Sequence, residues 1–227
     1  MKILGIDTSS KRCTVCILED NNVIIELHSD DEKTHSQTLM PLIDKMFKET
    51  NLTLTDIDMI ACCVGPGSFT GVRIGISTAK AFTDVYNFKT VGVSSLEGLA
   101  YNIKDDICLF KNSNVSESHV ICSIIDAKNE NVYYGLFDEN YNKLEELSTC
   151  SIYELIDKLK GLNNPITFVG DGAVVYREIL IEKLKNNVPH IEFFEREKNL
   201  ASSISIAKFA YNKYATGNYN SSLSPMY

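Results

Sequence analysis

The residues best suited to chemistry lie in two short polar stretches, each following an apolar run. Asp7-Thr8-Ser9-Ser10 closes Ile3-Leu4-Gly5-Ile6, and Gly65-Pro66-Gly67-Ser68-Phe69-Thr70-Gly71 closes Met59-Ile60-Ala61-Cys62-Cys63-Val64. A carboxylate at a strand end, followed by hydroxyls, could serve a metal-bound nucleotide and its phosphates. The same residues also form an Asx or ST turn that closes a hairpin and needs no ligand, and on the residues alone that reading is preferred. The Gly-rich stretch enters a helix whose N-terminal N–H groups could hold an anion. It is no phosphate loop, because Gly71-Val72-Arg73 stands where Gly-Lys-Ser/Thr is required. The preferred structural alternative is a tight turn, with Gly71, Gly75 and Ala79 letting a second helix approach closely.

Other reactive side chains are scattered. Cys13 and Cys16 have redox or zinc spacing, but Thr14, Val15, Ile17 and Leu18 around them read as a strand, and no second pair completes four ligands. The seven cysteines are an odd number, and most lie in apolar runs, where reduced core thiols are expected. His28, His35, His119 and His190 share no metal-ligand spacing and no legible triad.

Elements that must position these residues follow from the hydrophobic pattern. Three antiparallel strands are expected over 2–6, 13–18 and 23–27, then an amphipathic helix over 36–50 with Pro41 in its first turn. A strand buried on both faces over 59–64, a helix over 72–85 and a strand over 90–93 form a crossover unit, followed by a short helix over 95–101 capped by Ser94 or Ser95. The second half reads as a hairpin over 119–127 and 132–137, a helix over 151–160 opened by the Ser151/Glu154 capping box, and a strand over 166–169. A turn at Gly170-Asp171-Gly172 and helices over 175–186 and 202–215 complete it. Each half thus carries a strand ending in Asp (Ile6-Asp7, Ile125-Asp126), a hairpin, a helix, a strand and a Gly-rich turn. Two meander-plus-crossover halves predict an α/β actin-like and sugar-kinase-like fold, the second half abbreviated. The expected division is 1–105, 106–200, and a C-terminal segment 201–227 packing back on the first part.

With 227 residues, 44% hydrophobic and 23% charged, the composition fits an ordinary globular protein. No apolar run approaches the roughly 20 residues of a membrane span, and Asp7 arrives too early for a secretory signal, so a cytoplasmic protein is expected. The formal charge of -8 argues against nucleic-acid binding by this chain alone.

Four stretches together resemble one family: Ile3-Leu4-Gly5-Ile6-Asp7-Thr8-Ser9, His35-Ser36-Gln37-Thr38-Leu39-Met40-Pro41-Leu42-Ile43, the block from Gly65 through Gly71-Val72-Arg73-Ile74-Gly75, and Ile125-Asp126-Ala127. They look like TsaB, also called YeaZ, a family working in threonylcarbamoyladenosine (t6A) formation on tRNA. The likeness covers essentially the whole chain. It departs at Lys128, where an Arg commonly follows Asp-Ala, and after Tyr227, where relatives tend to continue with a short basic tail.

The resemblance implies a non-catalytic scaffold that activates a TsaD-like subunit, which transfers the threonylcarbamoyl group to adenosine beside the anticodon. TsaD-like enzymes hold a metal through Val-Asn-His-Met-Glu-Gly-His. Here Val93-Ser94-Ser95-Leu96-Glu97-Gly98-Leu99 matches, so Ser95 and Leu99 replace the two imidazoles and no metal is expected. Asp7, Thr8, Ser9, Gly65, Gly67, Ser68 and Thr70 then read as vestigial nucleotide or anion loops, with no intrinsic cofactor and a nucleotide at the partner interface left open.

The implied partners are the TsaD-like subunit and a TsaE-like ATPase, with homodimers when alone, tRNA met only through the complex, and no membrane. Docking is expected on the first two helices through Leu39, Met40, Ile43, Met46, Phe47, Gly71, Ile74, Gly75, Thr78 and Phe82. One face of each helix must cover its own sheet, so about half of these are expected in the core. The alternatives are an actin-fold phosphotransferase and a glycoprotease-like peptidase. The missing histidines weigh against the peptidase, and the short second half against a full nucleotide cleft.

Overall fold

The computed structural model describes residues 1–29, 34–104, 119–194, 196–217 and 219–226. The chain divides into two compact units, one of Met1–Gly98 with Ala201–Tyr227 and one of Leu99–Leu200. The boundary expected at 105/106, Cys108 and most of the polar stretch before the first helix lie outside the described residues.

In the first unit, β1 (Lys2–Asp7), β2 (Cys13–Glu19) and β3 (Asn22–Ser29) form the antiparallel meander, and β4 (Met59–Cys63) and β5 (Lys89–Val93) add in parallel, giving the order β3-β2-β1-β4-β5. Period-2 alternation sends Leu4, Ile6, Val15, Ile17, Ile60 and Cys62 into one core with α1 (His35–Thr50) and α2 (Phe69–Tyr86). The opposite face receives α7 (Ser203–Ala215): a Cβ on Gly5 would lie 2.7 Å from Ser203 O and 3.0 Å from the Ala207 Cβ. Ser203 N–H donates to the buried Thr14 hydroxyl at 2.9 Å, fixing the start of α7 on β2.

Cys13 and Cys16, three residues apart on a strand, point to opposite faces, so they cannot share a metal or a disulfide. Burial pushes their thiols up to about 11 and about 12 respectively. The cysteines of the described residues are all free, and all but Cys150 are buried.

α3 (Ser95–Tyr101) leads from the first unit into the second. Ser94 is its cap, accepting the Leu96 N–H at 3.2 Å while its own N–H donates to Glu97 at 2.9 Å. The second unit repeats the strand pattern. β6 (Val120–Lys128), β7 (Asn131–Phe137) and β8 (Ser148–Ser151) are antiparallel, and β9 (Ile166–Val169) and β10 (Ile191–Phe193) add in parallel to β6, in the order β8-β7-β6-β9-β10. Its core gathers Cys122, Ile124, Val132, Tyr134 and Phe168 with α4 (Ile152–Lys160) and α6 (Arg177–Leu184). The α/β actin-like and sugar-kinase-like fold is therefore present as two five-stranded halves.

Four expectations are corrected. α2 begins at Phe69 rather than Val72, because Ser68 caps it by accepting the Gly71 N–H at 3.2 Å. Gly170-Asp171-Gly172 is the start of a helix, α5 (Asp171–Val175), rather than a free turn. The single helix expected over 175–186 is broken at Tyr176 into α5 and α6. β8 and β10 are additional edge strands.

Candidate functional site

The 7–9 turn and the 65–71 loop meet at the carboxyl ends of β1 and β4. Asp7 is 2% exposed and its Oδ1 accepts from the Ser9 N–H at 2.9 Å and the Ser9 hydroxyl at 2.7 Å. This is the Asx turn preferred from the residues. Burial pushes the Asp7 carboxyl up, only partly countered by the two Ser9 bonds, the Cys63 thiol and His35.

Donors of the Gly-rich loop are likewise used internally: Ser68 N–H donates to Ser9 O at 2.7 Å and Gly71 N–H to Ser68 Oγ. The Thr8 hydroxyl donates to Gly71 O at 2.8 Å. The glycines have a different reason from the expected helix contact. A Cβ on Gly67 would lie 2.3 Å from Ser9 O, one on Gly71 2.1 Å from Thr8 O, and one on Gly75 2.4 Å from Thr8 Oγ1. The close neighbour of Gly71 and Gly75 is thus the chain's own 7–9 turn, and both are buried. Gly65 is buried as well, whereas Gly67, Ser68 and Thr70 are exposed.

The matched metal positions hold groups of other kinds. Ser95 is 5% exposed and its hydroxyl donates to Pro66 O; Leu99 is 6% exposed and apolar. Among the described residues, no three His, Cys, Asp or Glu side chains gather where they could hold a metal. In the second half Asp126 is engaged by the Lys128 N–H at 2.9 Å, the Lys128 ammonium and the Tyr176 hydroxyl at 3.1 Å. Burial raises its pKa, but Lys128 and Tyr176 outweigh that and leave the carboxyl below its ordinary value.

The ten expected docking residues separate cleanly. Leu39, Ile43 and Met46 are at most 2% exposed and belong to the core beneath α1, and with the buried Gly71 and Gly75 they are corrected to internal roles. Phe47, Ile74 and Phe82 are half-buried against that core, Thr78 is half-buried, and Met40 is 48% exposed.

A surface groove of about 490 Å³ runs between the N-terminal halves of α1 and α2, its walls including Ser36 and Met40 on one side and Phe69, Thr70, Arg73, Ile74, Ser77 and Thr78 on the other. Phe69 is 54% exposed, and the Arg73 guanidinium stacks 3.6 Å from its ring centroid. Sequence reasoning missed Phe69, Arg73 and Ser77 as groove residues. Their i, i+4, i+8 spacing becomes one helix face only once α2 begins at Phe69.

Comparison with known proteins matches this architecture. The TsaD family model, described as tRNA N6-adenosine threonylcarbamoyltransferase, matches residues 27–221. The tRNA threonylcarbamoyladenosine biosynthesis protein TsaB of Bacillus subtilis is 29% identical over 187 residues, 81% of this chain and 77% of that protein. TsaB of Buchnera aphidicola subsp. Schizaphis graminum is 31% identical over 174 residues, 75% and 78% of the two chains. The solved structure of YeaZ from Pseudomonas aeruginosa superposes with a TM-score of 0.73 at 21% identity, covering 100% of this chain and 99% of that one.

Fold and loops define an actin-like α/β protein whose strand-end carboxylate is held within its own turn while that turn is bound to the Gly-rich loop. Within that class, the chain belongs to the TsaB (YeaZ) family, the tRNA threonylcarbamoyladenosine biosynthesis proteins.

Proposed function

We propose that this chain is a non-catalytic accessory subunit of t6A formation that docks on a TsaD-type transferase through the outer faces of α1 and α2. The observation that carries the reading is the groove between these helices. Met40 and Phe69, 48% and 54% exposed, stand on opposite walls of a groove also edged by hydroxyls and Arg73, and a protein partner would cover both side chains at once. The stacked Arg73 adds a flat, preorganised group of the type enriched at binding hot spots.

The chemistry of the loops supports an accessory role over the phosphotransferase and peptidase alternatives. Asp7 is committed to Ser9, the loop amides of Ser68 and Gly71 have internal acceptors, and Ser95 and Leu99 offer no imidazole. The proposed setting is the cytoplasm, and among the described residues no helix is long and apolar enough to cross a membrane. In this proposal a TsaE-like ATPase and tRNA join the assembled complex, and the same helical face forms a homodimer when the partner is absent.

The test is titration of the TsaD-type subunit of the same organism with Met40→Glu and Thr78→Glu variants, checked for folding by circular dichroism. Each is expected to weaken binding by about 2 kcal/mol or more, as hot-spot changes do. Unchanged affinity in both folded variants would remove this face from consideration.

A further inference from the structure

We infer that residues 219–226 are a strap that clamps α2 onto the first sheet, with Leu223 as its peg, and that seating this strap positions the docking face. The inference rests on the docking reading above. Three bonds set the course of the strap. Gly92 N–H donates to Asn220 O at 2.9 Å, the Thr90 hydroxyl to Ser221 O at 2.8 Å, and Met226 N–H to Val64 O at 2.7 Å. The strap therefore runs beside β5, the last strand of its sheet, and ends beside the segment leading from β4 into α2.

Two glycines are shaped to receive it. A Cβ on Gly92 would lie 2.6 Å from Ser222 O, and one on Gly65 would lie 2.6 Å from Met226 O. A backbone carbonyl cannot yield as a flexible side-chain end can, so any larger residue at either place opposes seating. These glycines do not serve the 7–9 turn, which explains them independently of Gly67, Gly71 and Gly75.

Only one strap side chain enters the core. Leu223 is 4% exposed and belongs to the same apolar cluster as Val64, Val72 and Ile76, while Ser221, Ser222, Ser224 and Met226 are exposed. Leu223 is the one buried apolar side chain of the segment, so seating draws its hydrophobic stabilisation from that residue. Val72 and Ile76 are the inward residues of the α2 turns whose outward residues are Phe69 and Arg73. Leu223 is thus a positioning residue: it fills the apolar cluster that supports the face from within and takes no part in the groove lining itself.

The experiment compares Leu223→Asp, the conservative Leu223→Met and Met40→Glu in the full chain. Amide hydrogen exchange over 69–76 and affinity for the TsaD-type subunit are both measured. Leu223→Asp is expected to speed exchange over 69–76 by about tenfold or more while exchange over 152–160 in the second unit stays unchanged. It is also expected to weaken partner affinity by about tenfold or more, with Leu223→Met within about twofold of the parent on both readouts.

Should Leu223→Asp fail to fold, Gly92→Ala expels the strap without placing charge in the core, and the same changes are expected. Protease cleavage within 219–226 of either variant, with exchange over 69–76 and partner affinity equal to the parent, overturns the inference. Full affinity in Met40→Glu instead overturns the docking reading, and exchange over 69–76 alone then decides the strap.

Discussion

At Gly71, alanine would place a Cβ 2.1 Å from the Thr8 carbonyl oxygen and 2.8 Å from His35 Cδ2. In an exposed helix the same change stabilises by about 1 kcal/mol, so here the contact reverses the sign. Gly71→Ala is expected to destabilise by about 3 kcal/mol, read as a lower urea midpoint at unchanged slope. Gly161→Ala is the control, since its Cβ would meet only Lys158 O at 3.4 Å, and it is expected to be neutral or slightly stabilising.

Asp7 makes a second prediction at this scale. Its folded pKa is raised, first by burial, so between the unfolded and folded values the folded state holds more protons than the unfolded one. Ionisation therefore costs stability at neutral pH, and that cost is relieved as pH falls through the folded pKa. Asn retains an oxygen for the two Ser9 donors without the buried charge. Asp7→Asn is expected to match or exceed the parent at pH 7 and to lose that advantage as the pH is lowered. A pH-independent difference between the two urea midpoints would contradict the assignment.

Capping governs where the helices of both units begin. The Ser151 hydroxyl accepts the Glu154 N–H at 3.2 Å while Glu154 accepts the Ser151 N–H at 2.9 Å, so Ser151→Ala is expected to cost about 1 kcal/mol in the second unit, measured by denaturant unfolding. That box was legible because it is local, a Ser and a Glu three residues apart. The meander and the buried β4 run were legible for the same reason, each being a pattern within one segment, and the duplication of halves followed from comparing two such locally read series. The start of α2 was not, since Phe69-Thr70-Gly71 reads as a loop until Ser68 is seen to accept the Gly71 amide. β8 and β10 are too short, at four and three residues, for alternation to register. The reason for Gly71 and Gly75 needed a partner far earlier in the chain, Thr8, 63 residues before Gly71, which spacing along one helix cannot supply. Leu223 escaped notice because a lone apolar residue among serines has no period at all.

Across the whole molecule, the two halves repeat one strand order, yet the chain carries a net charge of -8 distributed over 22 basic and 30 acidic side chains. Affinity for tRNA comes largely from phosphate contacts that release counterions, and this term needs clustered Lys and Arg. A chain with this balance repels the polyanion on average, while its groove offers mixed apolar and hydroxyl walls and one stacked Arg73 in place of a basic stripe. The isolated protein is therefore expected to bind tRNA no more tightly than about 10⁻⁴ M at physiological salt, the weak end of non-specific binding. Filter binding or fluorescence anisotropy with labelled tRNA checks this, and adding the TsaD-type subunit is expected to restore retention with a steep salt dependence. Because the basic surface must then come from the partner, Met40→Glu should abolish retention of this chain on tRNA while leaving the partner's own binding intact. Submicromolar binding by the isolated chain would instead require a basic surface that its charge balance does not supply.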